Sequence, residues 1–470
     1  SDGTFTFDQC DWLPRTVGDE ETCATPSFVD NTISDIFYFR NRLGFLSDEN
    51  IVYSVAGDYY NFWPETAMQT LDTDPIDTTA GSSKVSILRH AVPLMERLLL
   101  FADQVQFSQS SNAVLSPNDI QIDQTTTYEY SPLAKPVAAG SSIFFTTKRG
   151  TYTGVMEYLI DPDTKVNQAI DMTSHVPEYI PTNVFHLAAG VNINVLLALT
   201  LNERNAVYVY NYWWEADEKI QSAWHKWTFD TGDVILSAEI IDSVVYFVIK
   251  RSDGLYLESM EILAPAADEG LKYRVLLDRR ATATGVFDAD TGITTWTIPY
   301  PVPVTKEVII VRGPDFEGNG IGVSTYRGAA GTETKVYARG DYSAGECYVG
   351  LSYNWRYRLS EQFLKEDEAE TVSIISGRLQ LHHMTVRYAN TIFFKALVTP
   401  VGRPTSTYAN DVRLGEVTIG TPVPADGTFT FPVMAKSNLV TIEFQNDSHY
   451  PCYLQSIDWK ARYTPKAQRM

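Results

Sequence analysis

The chain has 470 residues, 44% hydrophobic and 12% aromatic, with 58 acidic against 37 basic residues and a formal charge of −21. That length predicts two or more cores, and that apolar content excludes a mainly disordered chain. The negative balance argues against a protein whose main task is gripping nucleic acid, which would carry a basic patch or surplus.

The chain starts at Ser1 without an initiator methionine and runs into DGTFTF, which reads as strand at the start of a fragment or trimmed chain. Beyond it, short runs rich in Val, Ile, Tyr, Phe and Thr alternate with turn residues, for example 34–40, 51–55, 142–147, 206–212, 244–250 and 385–387. Apolar strand pairs recur near residues 36–39, 98–101, 143–145, 195–199 and 244–249. Their spacing of roughly 45 to 60 residues suits one four-stranded propeller blade, and equally the consecutive hairpins of a sandwich. Residues 89–103 look mixed, because Pro93 interrupts any helix there. Past the Pro299–Tyr300–Pro301 run the character changes. A Gly-rich region at 312–345 leads to 348–359, an acidic stretch at 361–370 reads as a short helix, and clean strands follow at 377–398 and 439–444. The expected fold class is all-β, a β-propeller-like core over 1–300 followed by a β-sandwich-like domain over 301–470 with a variable loop region near 305–345.

Few residues invite chemistry. Asp288-Ala-Asp290-Thr-Gly292 opens like a calcium loop, but Pro299 stands where the closing glutamate belongs. Asp161-Pro-Asp163-Thr-Lys165 puts a cation at a ligand position, so both segments read as turns. His382 and His383 are neighbours in a strand, which predicts side chains on opposite faces that cannot share an ion. Cys10, Cys23, Cys347 and Cys452 lack any zinc-compatible spacing and read as reduced thiols. The Gly-rich run at 315–322 has no following Lys-Ser/Thr and reads as a loop. Tyr208, Tyr210, Tyr212, Trp213, Trp214, Trp224 and Trp227 could form a sugar platform, although core packing accounts for such rings more simply. No catalytic, cofactor-binding or metal-binding residue is nominated, no cofactor is expected, and the longest apolar stretch, 195–201, is too short to insert in a membrane.

The run FYFRNRLGFLSDENIVYSVAGDYYNFWPETA at 37–67 resembles a signature of tail nozzle proteins, the tail tubular B proteins of short-tailed, autographivirus-type bacteriophages. The resemblance continues in order through DPID (74–77), LLLFADQVQF (98–107), HVPEYIP (175–181), QSAWHKWTFD (221–230), SGRLQLHHMTVRYAN (376–390) and LQSIDWKARYTP (454–465). It covers nearly everything from Trp12 onward, is weakest near 305–345, and lacks the further N-terminal region usual in that family. The family implies a structural virion protein of the tail, made in the bacterial cytoplasm and not an enzyme. It implies a six-copy ring beneath the tail adaptor ring, an exterior that helps dock tail fibres, and a bore through which double-stranded DNA passes without specific binding. An acidic lining would let phosphates slide past, and on that logic Arg40 and Arg42 are assigned to structural pairing with acidic neighbours. The alternatives are a tail-associated glycan hydrolase and a carbohydrate-binding adhesin on a propeller scaffold.

Overall fold

The computed structural model describes residues 4, 6–81, 86–94, 96–110, 114–160, 167–215, 218–302, 307–327, 334–365, 372–412 and 422–465. Strand dominates them, and the helical elements among them are two three-residue 3-10 turns, Val191–Ile193 and Ser437–Leu439. The chain divides into two compact units, Ser1–Leu263 and Ala264–Met470. Of the DGTFTF stretch expected as strand, the described residues Thr4, Thr6 and Phe7 lie outside any strand.

The first unit is a series of antiparallel meanders that follow one another in sequence. The first sheet holds β1 (Ile33–Phe39), β2 (Arg42–Ser47), β3 (Asn50–Tyr53) and β4 (Ile76–Thr79), and the second β5 (Leu88–Leu94), β6 (Arg97–Ala102), β7 (Gln106–Ser110) and β8 (Gln121–Thr126). The third holds β9 (Val137–Ala139), β10 (Ser142–Arg149), β11 (Tyr152–Ile160) and β12 (Asn167–Asp171). The fourth holds β13 (Val184–Gly190), β14 (Val195–Thr200), β15 (Glu203–Glu215) and β16 (Glu218–Thr228), and the fifth β17 (Val234–Ile241), β18 (Val244–Arg251) and β19 (Gly254–Glu261). Each of the five apolar pairs in the sequence falls in a different sheet. Neighbouring first strands, β1 with β5, β5 with β9, β9 with β13 and β13 with β17, lie side by side as the inner strands of a propeller do. The stretch 89–103 is the β5–β6 hairpin. Pro93 is tolerated there because β5 is an edge strand with no ladder bond to lose on its open side.

Alternation within the central strands explains the stacking. In β6, Leu98 and Leu100 join Leu46, Ile51 and Tyr53 of the first sheet, while Leu99 and Phe101 join Ile143, Phe145 and Tyr158 of the third. In β14, Leu196 and Ala198 pack toward Phe144 and Val155, while Val195, Leu197 and Leu199 pack toward Val245, Phe247 and Ile249. Such strands are buried on both sides and therefore read as unbroken apolar runs.

The second unit opens with two small sheets. One has the order Asp278–Thr284, Glu346–Leu351, Val308–Arg312, Gly322–Val323, and the other Val286–Asp288, Ile293–Thr297, Lys335–Arg339, Tyr326–Arg327. A sandwich follows. The sheet of Trp355–Arg358, Val440–Asn446, Phe393–Pro400 and Ser406–Asp411 faces that of Ala425–Lys436, Arg378–Thr391 and Tyr453–Thr464. Between them lie Leu381, Met384, Val386, Phe394, Phe431 and Phe444. The division at 263/264 falls earlier than the change of character near 300, because Leu271, Tyr273 and Val275 pack with Val311, Phe393 and Tyr450 of the second unit. The acidic stretch does not begin as a helix. Leu364–Lys365 pairs with Ser373–Ile374 as a two-stranded ladder, and 366–370 lie outside the described residues.

A polar staple crosses the first three sheets. Asp35, at a bulge in β1, accepts from the Ala91 amide at 3.0 Å and from Lys135 Nζ at 2.8 Å, and lies 3.7 Å from His90 Nδ1. Burial raises the Asp35 pKa, but the nearby His90 ring and the hydrogen bonds from Lys135 and the Ala91 amide outweigh it and hold the carboxyl below the usual aspartate range. With the folded-state value depressed, its contribution is full above the unfolded value near 3.8 and is lost as pH falls through the lower folded value. Asp35→Asn is expected to cost about 1–3 kcal/mol at neutral pH. Urea titrations of the two chains should show that deficit shrinking as the carboxyl protonates in acid; an equal deficit throughout would remove the carboxylate charge from the role.

Candidate functional site

The segment 37–67 is built around a tight hairpin. Arg40 and Asn41 close β1 onto β2 with φ of 45° and 61°, the two left-handed residues that a type I′ turn requires. Asn41 Oδ1 accepts from the Tyr38 hydroxyl at 3.1 Å and the Tyr59 hydroxyl at 2.9 Å, which fixes the turn. Phe37 pairs across the ladder with Gly44, where an added Cβ would lie 2.3 Å from the ring. The glycine is what lets that ring lie flat on the neighbouring strand.

Arg42 is 1% exposed. Nη1 donates to the carbonyls of Ser54 (2.7 Å), Asp74 (2.7 Å) and Thr73 (3.3 Å), and Nη2 to those of Asp72 (2.7 Å) and Leu115 (3.0 Å). The residue is structural, but its hydrogen-bond partners are backbone carbonyls, a correction to the acidic side chains expected from the sequence. Planar guanidinium N–H groups can satisfy several loop carbonyls at once, which no carboxylate could do. Burial lowers the Arg42 pKa, with Tyr53 and Asp74 opposing, yet an arginine remains charged. Arg40 likewise donates to a carbonyl, that of Glu96 at 3.1 Å, and lies over the Phe39 ring. Arg42→Met strands those carbonyls in a dry interior and should destabilise by more than about 3 kcal/mol. A denaturant midpoint within error of the parent would show that water or rearrangement replaces the guanidinium.

The aromatic group divides by face. Tyr208, Tyr210 and Tyr212 are buried against the third sheet, with Trp224 partly buried beside them and Trp227 against the fifth. Trp213 and Trp214 are 54% and 40% exposed near the end of the β15–β16 hairpin. Lys219 lies within 5.7 Å of the ring centroids of Tyr210, Tyr212 and Trp214 and pairs with Glu157, whose side chain is 3% exposed. Glu157 also accepts from Ser142 Oγ at 3.0 Å. Burial pushes the Tyr210 and Tyr212 hydroxyls up to about 12, so they are neutral hydrogen-bonding groups. Five of the seven rings thus serve the core. Lys219→Met leaves the Glu157 carboxylate buried without its cation and should cost about 3–5 kcal/mol. The double change Glu157→Gln with Lys219→Met should recover part of that loss in a thermodynamic cycle; additive losses would rule out coupling.

The remaining residues are placed as follows. Asp288 accepts from the Asp290 amide at 3.0 Å and the Thr291 hydroxyl at 2.8 Å, an Asx turn between Val286–Asp288 and Ile293–Thr297. Residues 161–165 lie outside the described residues. Residues 315–322 include a turn that ends at the start of the strand Gly322–Val323. The histidine pair departs from simple alternation. The ladder shifts between Leu381 and His383, and Leu381 and Met384 both enter the core, so His382 and His383 both lie between core-facing residues at a bulge. The four cysteines are unbonded, and burial pushes the Cys452 thiol up to about 12. Among the described residues no group of three His, Cys, Asp or Glu could hold a metal ion, and no helix is long and apolar enough to cross a membrane.

Known proteins supply the frame for this scaffold. The family described as bacteriophage nozzle protein matches residues 1–470. Tail tubular protein gp12 of Escherichia phage T7 is 30% identical over 484 residues, covering 98% of this chain and 59% of that protein. Hsv2p of Kluyveromyces lactis overlaps 57% of this chain and 80% of its own at 10% identity, with a TM-score of 0.32. The Pan2 WD40 domain of Neurospora crassa overlaps 69% and 90% at 10% identity, with a TM-score of 0.30. The whole-chain match and the T7 relative carry the assignment without these overlaps: this chain belongs to the bacteriophage nozzle protein family.

Proposed function

We propose that the chain is a non-catalytic wall component of a short-tailed phage tail. In this reading six copies form a ring beneath the adaptor ring, the bore conducts DNA outward during ejection, and the exterior helps seat tail fibres. The observation that carries it is the family match along all 470 residues. The fold supports it, since stacked two-faced sheets make a stiff wall, and carbonyl cages and staples such as those of Arg42 and Asp35 cross between their segments.

Charge supports it as well. Residues 1–263 hold 36 Asp and Glu against 15 Lys and Arg, a formal −21, whereas residues 264–470 hold 22 of each. A passage bordered by the first unit would repel phosphate and avoid the counterion-release binding that traps DNA. Electron microscopy of the chain mixed with its cognate adaptor ring should show a six-fold collar with an axial channel bordered by carboxylates. A lumen lined chiefly by Lys and Arg would contradict the electrostatic part, and a chain that never joins the adaptor would contradict the whole.

A further inference from the structure

The three-stranded sheet of the sandwich has one face in the core and one in solvent, and the solvent face is basic. Leu381, Met384, Val386, Phe431 and Val433 are buried in the core, with Trp459 packed against them. The opposite side of the same strands carries Arg378, Arg387, Lys436, Lys460 and Arg462. Register places them: Gln380 is flanked by Lys436 and Arg462, His383 by Pro432 and Lys460, and Arg387 by Thr428 and Ser456. With strands about 4.8 Å apart, Lys436 and Arg462 stand roughly 10 Å from each other. Among the described residues, the acidic groups on this face are Asp458, opposite Thr385, and Asp426, which accepts from the Asn390 amide at 2.8 Å.

Several cations of the first unit are ion-paired, and those described on this face are not. There Arg89, Lys135, Arg149, Lys219, Lys226 and Arg251 each meet a carboxylate. Here Arg378 meets the neutral Gln380, and among the described residues Arg387, Lys436, Lys460 and Arg462 have no ion-pair partner. Among the described residues, a chain with 21 surplus carboxylates leaves these cations without an ion pair, together on one face of the sheet.

We propose that this face docks on the acidic first unit, residues 1–263, of a second copy of the chain. Charge complementarity argues for that occupant, because the whole formal −21 resides there while the unit bearing the face is neutral. Such an arrangement favours head-to-tail contact and penalises like-with-like contact, and so selects orientation. Duplex DNA is the competing occupant. It suits the face less well, because the sheet offers neither a helix for the major groove nor an exposed ring platform, Trp459 being turned into the core.

The inference rests on the ring reading, and the two fail separately. The test is sedimentation of the concentrated full chain across a salt series, beside R387E/K460E/R462E and the milder R387Q/K460Q/R462Q. Self-association is expected in low salt, weakening at least tenfold by moderate salt, lost in the reversal variant and reduced in the neutral one. Carbodiimide cross-linking of mixed isotope-labelled and unlabelled chains should join Lys460 of one copy to carboxylates within 1–263 of another. A parent chain that stays monomeric throughout, association unchanged by charge reversal, or cross-links confined to one copy overturns the contact. So does retardation of a short duplex that the reversal abolishes in a chain that does not self-associate, which gives the face to nucleic acid. An adaptor-bound collar that forms equally with reversed charges sinks this contact alone and leaves the ring reading standing.

Discussion

The first unit depends on one constraint: most of its sheets have two apolar faces, and a face left wet loses its stabilisation. Burying a Leu, Val or Phe side chain contributes about 1.5–3 kcal/mol, so one uncovered row of three would cost most of a domain's margin. Stacking in sequence order is the simplest answer, because each meander is already next to its neighbour along the chain. The two ends of the series are finished differently. Phe45 and Val52 of the first sheet are covered by Phe28 and Phe62, with Trp12 against Phe45. On the fifth sheet Leu255 and Leu257 of β19 are 68% and 74% exposed, and Val248 of β18 is 37% exposed.

Apolar burial has no direction, so something else must fix which sheet meets which and at what height. Asp35, Arg42 and the Glu157–Lys219 pair do this. Asp35 binds the backbone of β5 and the lysine just before β9; Arg42 gathers carbonyls from 72–74 and from Leu115; Lys219 on β16 reaches Glu157 on β11. Each joins segments that hydrophobic contact alone would allow to slide. Each is also costly if half-made, which makes them specifying contacts more than stabilising ones.

What the sequence discloses and what it hides follow from this division. The five sheets are legible because central strands buried on both sides are continuous apolar runs, as at 98–101 and 195–199. The Asx turn at Asp288 is legible because its chemistry is local. The cage around Arg42 is not, since it is made of carbonyls that every residue possesses. Alternation misplaces the His382–His383 pair because a bulge adds a residue that periodicity cannot anticipate. Acidic composition suggests a helix at 361–370, but within its described part, 361–365, Leu364–Lys365 finds a ladder partner at Ser373–Ile374, and pairing overrides propensity there. Glu157 and Lys219, 62 residues apart, carry no mutual signal in the chain.

Net charge by itself is a misleading summary of this molecule. A formal −21 spread evenly would make every copy repel every other on all sides, an obstacle to any assembly of like subunits. Confined to one unit, the same total leaves the other unit neutral and free to present cations. The two halves of the chain then differ in electrostatic character as much as in sheet architecture. In the proposed ring, repulsion would act on phosphate where the carboxylates lie without also preventing contact between subunits, and an acidic wall built from repeated copies would require that separation of roles.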